Sequence, residues 1–245
     1  MEFLEIITAT VPPVDDENEP IEAVEPVVVD FPGVTYKAER RFNANCHILI
    51  IEMAGKRFHV TPFTGFRPVS QAARELGAQI VVNGDGWKER VPISIAASDG
   101  VFYQRRQKDF RPWVNISQNN QVTFAWRNPA NLFNAVSGDR FLIQNGRYNE
   151  AITDVSQQPR TALGFIPPGR LILLVADGRT TASAGLTFKN IATIFIEHGV
   201  TTAINLDGGG SSAMWIKNRI VNVPIHDPGN PGVERAVANH LCVFI

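Results

Sequence analysis

An apolar run, Ala203-Ile204-Asn205-Leu206, stops at a carboxylate and passes at once into three glycines and two hydroxyls, Asp207-Gly208-Gly209-Gly210-Ser211-Ser212. The run reads as a buried strand, which puts Asp207 at the strand's carboxyl end, where open α/β sheets hold their ligands. Consecutive glycines give a backbone that visits positive φ and that a ligand can approach without meeting a Cβ atom. Their N–H groups can then form an anion-binding nest. A tight turn with Asp at its first position accounts for most Asp-Gly pairs, but three glycines and two serines exceed what a turn requires. This loop is the first candidate for chemistry.

The same corner is foreshadowed earlier in the chain. Val69, Ala72, Ala73 and Leu76 fall at helical spacing, Gly77 follows as a stop signal, and Ile80-Val81-Val82 runs as a strand into Asn83-Gly84-Asp85-Gly86-Trp87. Phe188, Ile191, Ala192 and Phe195 repeat the helical spacing, Gly199 stops that helix, and the next strand delivers Asp207. Asn83 and Asn205, Asp85 and Asp207, Gly86 and Gly208 stand at one fixed offset. Either one common αβ corner is used twice, or the helix-strand-Asn-x-Asp-Gly unit is a pseudo-repeat. In the second case the two ends should converge on one site, and on that ground Asp85 joins Asp207 as a candidate.

Elsewhere the pattern is of short β-rich runs. Cys46 to Glu52 and Arg57 to Thr61 flank Ala54-Gly55 and read as a hairpin, as do Val91 to Ala97 and Val101 to Arg105 around Ser98-Asp99-Gly100, where Asp99 is a turn residue. Further strands are expected at 121–126, 134–137, 140–144 and 171–176, with a last one reaching Ile245. The fold class expected is α+β or mixed α/β: a large, partly antiparallel mixed sheet with a few packed helices. Residues 1–35 are expected to form an acidic, Pro-rich flexible arm, and residues 36–245 the folded domain.

Charge supports this division. Residues 1–36 carry nine acids and no Lys or Arg, whereas the remaining 209 residues hold 15 acids against 23 bases, a net of +8. A basic body favours an anionic ligand through steering, as it would also serve a solvated surface. Arg105, Arg106, Lys108 and Arg111 cluster beside Phe110 and Trp113; one such short cluster is poor support for nucleic-acid binding, and a rim or lid over a substrate pocket is the better reading.

Several chemistries lack their motifs. Cys46 and Cys242 have no CxxC spacing, and the five histidines form no HExxH pattern, so no metal ligand is assigned. The carboxylates could bind a hard cation such as Ca²⁺ through oxygen, although no EF-hand spacing exists. The two thiols could pair if their strands were neighbours, buried free thiols being the commoner case. Gly210-Ser211-Ser212-Ala213-Met214 lacks the second glycine of a G-x-S-x-G elbow, and no GxxxxGK[ST] loop occurs. No apolar run reaches membrane-spanning length. The first residues lack a basic start and apolar core, so the expectation is a protein that stays inside or one whose signal has been removed.

Val82-Asn83-Gly84, Ala135-Val136-Ser137-Gly138 with Asn145-Gly146, Pro159-Arg160-Thr161-Ala162-Leu163-Gly164, Asp177-Gly178-Arg179, Asn205 through Ser212, and Glu234-Arg235, taken in this order, resemble the phosphodiester glycosidase family over roughly residues 45–245. After Asn83-Gly84 the chain departs from the family pattern, so Asp85 rests on the internal echo alone. The resemblance implies a hydrolase that cleaves between a sugar's anomeric carbon and a phosphodiester oxygen, here in bacterial or phage glycan metabolism, with the sugar left open. Such a reaction passes through an oxocarbenium-like transition state and needs a carboxylate to activate water or to attack directly. Asp207 and Asp177 are the candidates. Charge on the departing phosphate suits the N–H groups of Gly208, Gly209 and Gly210, the Ser211 and Ser212 hydroxyls, and the forked donors of Arg160 or Arg179 beside Thr161. Asn83 and Asn205 would bond sugar hydroxyls or hold the Asp loops. The Asp177 corner and the glycine loop should share one cleft. The competing reading is a catalytically silent glycan- or sugar-phosphate-binding module.

Overall fold

The computed structural model describes residues 29–89, 91–105, 111–127, 129–226 and 230–245. Most of the expected arm therefore lies outside the described residues, as do Arg106, Lys108 and Phe110. The first strand, Val34–Arg41, begins just before the expected start of the domain.

Among the described residues the architecture is dominated by sheet, with two α-helices. A seven-stranded sheet runs in the order Val34–Arg41, Ala44–Glu52, Arg170–Ala176, Arg160–Ile166, Thr202–Asn205, Arg140–Gln144, Arg147–Tyr148. A second sheet places Ile80–Asn83 between Met214–Ile216 and His240–Phe244, with Arg57–Val60 and Arg219–Ile220 at its edges. A third is built on Trp113–Ile116 and Asn134–Ser137 and ends in the hairpin Ala96–Ser98/Val101–Gln104. All the strand ladders described are antiparallel. The single large mixed sheet expected from the sequence is thus replaced by several antiparallel ones.

Side-chain alternation explains why the strand sequences look uniformly apolar. In Arg170–Ala176, Leu171, Leu173 and Val175 face the core shared by the three sheets, while Ile172, Leu174 and Ala176 face the helix α2, Phe188–Glu197. In the second sheet Ile80 and Val82 point to the shared core, and Val81 points to α1, Val69–Leu76. Both central strands are covered on both faces. Period-2 patterning is erased wherever neither face meets water.

The helices end where the sequence says. Gly77, at φ 65°, closes α1, and the backbone N–H of Ser70 in its first turn donates to Glu234 Oε2 at 2.9 Å. At the start of α2, Thr187 and Asn190 form a reciprocal capping box.

One expected strand pairing is corrected, while the thiols follow the commoner reading of buried free groups. Ala44–Glu52 and Arg57–Val60 do not pair: the first has both edges taken by Val34–Arg41 and Arg170–Ala176, and the second joins His240–Phe244 in the other sheet. Cys46 packs toward α2 and Cys242 toward α1, so the thiols face away from each other on separate sheets and are free. Burial pushes each up to about 12. The hairpin turn at Asp99-Gly100 has positive φ at both residues, as the Asp-Gly pair predicts.

Candidate active site

The two Asn-x-Asp-Gly ends meet. Asp207 N–H donates to Gly84 O at 3.0 Å, and Asn83 Nδ2 donates to Asp207 O at 2.7 Å. A strand end of the seven-stranded sheet is thereby tied to one of the second sheet. The structure shows this convergence but not a repeat of the whole unit, since the two strands lie in different sheets and their carboxylates have different fates.

Above the junction opens a cavity of about 490 Å³, with Asp207, Gly208, Gly209, Asn205 and Leu206 along one wall. Four arginines line it: Arg111, Arg160, Arg179 and Arg235. The glycines are there to admit two of them. A Cβ at Gly209, which sits at φ 60°, would come 3.0 Å from Arg179 Nη2, and one at Gly210 would come 2.6 Å from Arg235 Nη2. Arg160 is nearly buried; its Nε donates to Leu186 O at 3.1 Å, its Nη2 to Ser156 O at 3.0 Å, and its guanidinium lies over the Phe188 ring. Arg179 is held through its Nε by Gln158 Oε1 at 2.8 Å, and Arg235 through its Nη2 by His226 O at 2.9 Å.

Among the described residues, two carboxylates share this cavity, Asp207 and Asp139. Burial raises Asp207 above its usual range, against the lowering influence of the Ser211 hydroxyl, the Gly208 N–H, Arg235 and Arg111. The Ser211 hydroxyl is near the carboxylate without forming a well-made hydrogen bond to it. The Gly208 N–H donates to Asp207 Oδ1 at 3.1 Å. Asp139 is raised for the same first reason, opposed by Arg140, Asn205 and Arg111. Asn205 Nδ2 donates to Asp139 Oδ1 at 3.0 Å, and Arg140 Nε donates to Asp139 Oδ2 at the same distance. Among the described residues, Asn205 Oδ1 is buried without a hydrogen-bond partner. Across Gly86, whose Cβ would stand 3.6 Å from Arg111 Nη1 and 3.7 Å from Asp207 Oδ1, cation and carboxylate face one space.

Other expected site residues sit behind this wall. Asp85 is fully buried; Ser137 N–H and Asn239 Nδ2 donate to its two oxygens, the second at 2.7 Å, and its own N–H donates to Asn239 Oδ1. Burial holds its carboxyl well above the usual range. Asn83 and Thr161 bond one another at 2.7 Å out of solvent, so Asn83 holds the Asp207 loop and does not line the cavity. Ser212 is buried beside the loop. Asp177 is turned away: its Oδ1 accepts from Val223 N–H at 2.8 Å and its Oδ2 lies 3.7 Å from His47 Nε2. Of that corner only Arg179 reaches the cleft. The expected amide nest is also reduced, because Gly208 N–H serves Asp207 and Gly209 N–H donates to Pro159 O at 2.8 Å. The anion-facing donors are mainly guanidiniums.

Asp139, Trp87 and Gln158 also line the cavity, as does Arg235, which the sequence offers only as part of the Glu234-Arg235 stretch. Gly138-Asp139 looks like an ordinary turn. Its signal is steric: a Cβ at Gly138 would run into the backbone carbonyl of Asn205, and Asp139 N–H donates to that same carbonyl.

The family model for phosphodiester glycosidases matches residues 76–244, which takes in both Asp corners, Asp139 and all four arginines. The chain belongs to the phosphodiester glycosidase family. A stretch of 87 residues, 36% of this chain, is 36% identical to an SPbeta prophage-derived uncharacterized protein, YomE, of Bacillus subtilis (strain 168) and covers 13% of it. Another of 81 residues, 33% of this chain, is 33% identical to N-acetylglucosamine-1-phosphodiester alpha-N-acetylglucosaminidase of Bos taurus and covers 15% of it. These stretches are a small part of either relative. In fold, the chain is similar to the zebrafish N-acetylglucosamine-1-phosphodiester alpha-N-acetylglucosaminidase catalytic domain, a structure auto-inhibited by its pro-peptide, with TM-score 0.71 at 20% identity over 86% of this chain and 82% of that one. A hypothetical protein from Synechocystis gives 0.62 at 14% identity over 87% and 62%.

Proposed function

We propose that this chain hydrolyses glycosyl-1-phosphodiesters, cleaving between the sugar's anomeric carbon and the phosphodiester oxygen. The observation that carries this reading is one cavity lined by four guanidiniums and two carboxylates raised by burial. The arginines suit a phosphodiester, binding it by charge-assisted donors and stabilising the charge it gains on leaving. A phosphodiester anion is a good leaving group, so its protonation is less demanding than for an ordinary glycoside. Asp207, beside Arg111 across Gly86, is suited to activate water or to attack the anomeric carbon, with Asp139 as its partner. Among the described lining residues, four cations against two acids favour an anion over Ca²⁺ in this space. The names of the animal relatives make N-acetylglucosamine-1-phosphodiesters the first class to try.

The test is hydrolysis of a panel of sugar-1-phosphodiesters by wild type and by Asp207→Asn, with folding checked by circular dichroism. We expect turnover by wild type and a loss of about a thousandfold or more in the folded variant. No turnover on any member, with sugar-phosphate binding still measured by calorimetry, would replace the hydrolase with a binding module.

A further inference from the structure

We propose that the site has a second, apolar half that seats an aromatic or alkyl group on the alcohol side of the phosphodiester; this rests on the hydrolase reading above. Next to the charged cavity lies another of about 500 Å³, lined by Phe66, Trp87, His226, Arg235 and Ala236. Trp87 and Arg235 line both, so the two spaces adjoin at these side chains. The lining changes character across that border. Phe66 meets Trp87 edge to face with ring centres 4.8 Å apart, and Phe63 meets Phe66 in the same way at 5.6 Å. Trp87 remains 37% exposed, an indole left open to solvent beside a ligand-sized hollow.

The direction of the substrate follows from where the acids are. Asp139 and Asp207 line the charged half and not the apolar one, so the anomeric carbon and the sugar hydroxyls belong in the charged half. Arg235 stands at the border, fixed by the His226 carbonyl and by its close approach to Gly210. A phosphate held there has one ester oxygen directed to the sugar. Its other substituent leaves past Trp87 toward Phe66. Apolar surface at that position gains free energy by taking hydrocarbon out of water and offers nothing to a small polar alcohol.

The experiment varies the alcohol alone. N-acetylglucosamine-1-phosphate is prepared as its methyl and benzyl esters, and kcat/KM is measured for wild type and for Phe66→Ala; binding of methyl phosphate and benzyl phosphate to wild type is measured by calorimetry. We expect wild type to favour the benzyl ester by about tenfold, the gain from burying one ring in part, and the ratio to fall toward one in Phe66→Ala. Turnover of both esters at equal kcat/KM, with equal binding of the two phosphates, overturns the apolar half and leaves the hydrolase standing. Tighter binding of benzyl phosphate with no turnover of either ester upholds the apolar half while the hydrolase reading fails.

Discussion

Asp85 and Asp207 occupy the same place in one local pattern, a strand ending in Asn-x-Asp-Gly, and they do opposite things. Asp85 is enclosed, with both oxygens taken by Ser137 N–H and Asn239 Nδ2. Asp207 opens onto the cavity, with Arg111 and Arg235 near and Gly208 N–H on one oxygen. Burial raises both. What separates them is the partner supply: where the protein sets a donor on each oxygen of an enclosed carboxyl, the group is scaffold, and where arginines and open space remain, it can act on a ligand. The motif alone does not carry that difference.

The contrast can be broken by mutating each corner. Asp207→Asn should cost the most, about a thousandfold or more in kcat/KM, with thermal unfolding nearly unchanged. Asp85→Ala should reverse this profile. Two buried donors would lose their acceptor, at about 1–3 kcal/mol each, so chemical denaturation should show a stability loss of about 2–6 kcal/mol while kcat of the folded fraction stays near wild type. If Asp85→Ala folds normally but is inactive, the buried corner belongs to the chemistry and the contrast is void. A smaller effect is expected at Arg179, which is exposed and lines the cavity with its guanidinium beside Gly209. Arg179→Ala should raise KM about tenfold, as loss of one charge-assisted contact does, and leave unfolding unchanged. An unaltered KM would remove Arg179 from the phosphate cradle.

How far the sequence discloses this site depends on whether each part is local. Helix periodicity with a terminal glycine located α1 and α2, and the Asp207 loop, Asn205, Arg160 and Arg179 lie within short recognisable stretches. Asp139 and Arg111 enter from the third sheet's end, through a turn and a rim with no motif of their own. Asp139 joins the Asp207 cavity where the Asn205 carbonyl accepts its N–H, and Arg111 meets Asp207 across Gly86. The glycine loop shows a different limit. Three glycines promise three donors, yet two of the N–H groups are spent on Asp207 and Pro159. Composition counts donors but cannot say which ones the chain uses itself. The missed pairing at Ala54-Gly55 has the same cause at the level of sheets, because a strand buried on both faces does not announce which neighbours will take its edges.

The mildest test of the contrast is pH, because it perturbs both corners without altering a residue. Asp85 is held above the ordinary carboxylate range by burial, so the folded state binds its proton more tightly than the unfolded chain does. That contribution to stability is complete below the unfolded value, near about 4, and is lost as pH rises through the folded value. The stability gap between wild type and Asp85→Ala should therefore widen as pH is lowered from about 8 toward about 4, read from urea unfolding at each pH. Asp207 is raised for the same first reason, but its role as base or nucleophile requires the ionised form. Activity should accordingly fall on the acid side with a midpoint above about 4, in the range where the Asp85 contribution grows. Opposite slopes of stability and kcat in one pH window are the signature of two like-patterned carboxyls in different employment. A gap that narrows on acidification would mean that Asp85 is ionised in the fold, and the buried corner would then be as much a charged group as the open one.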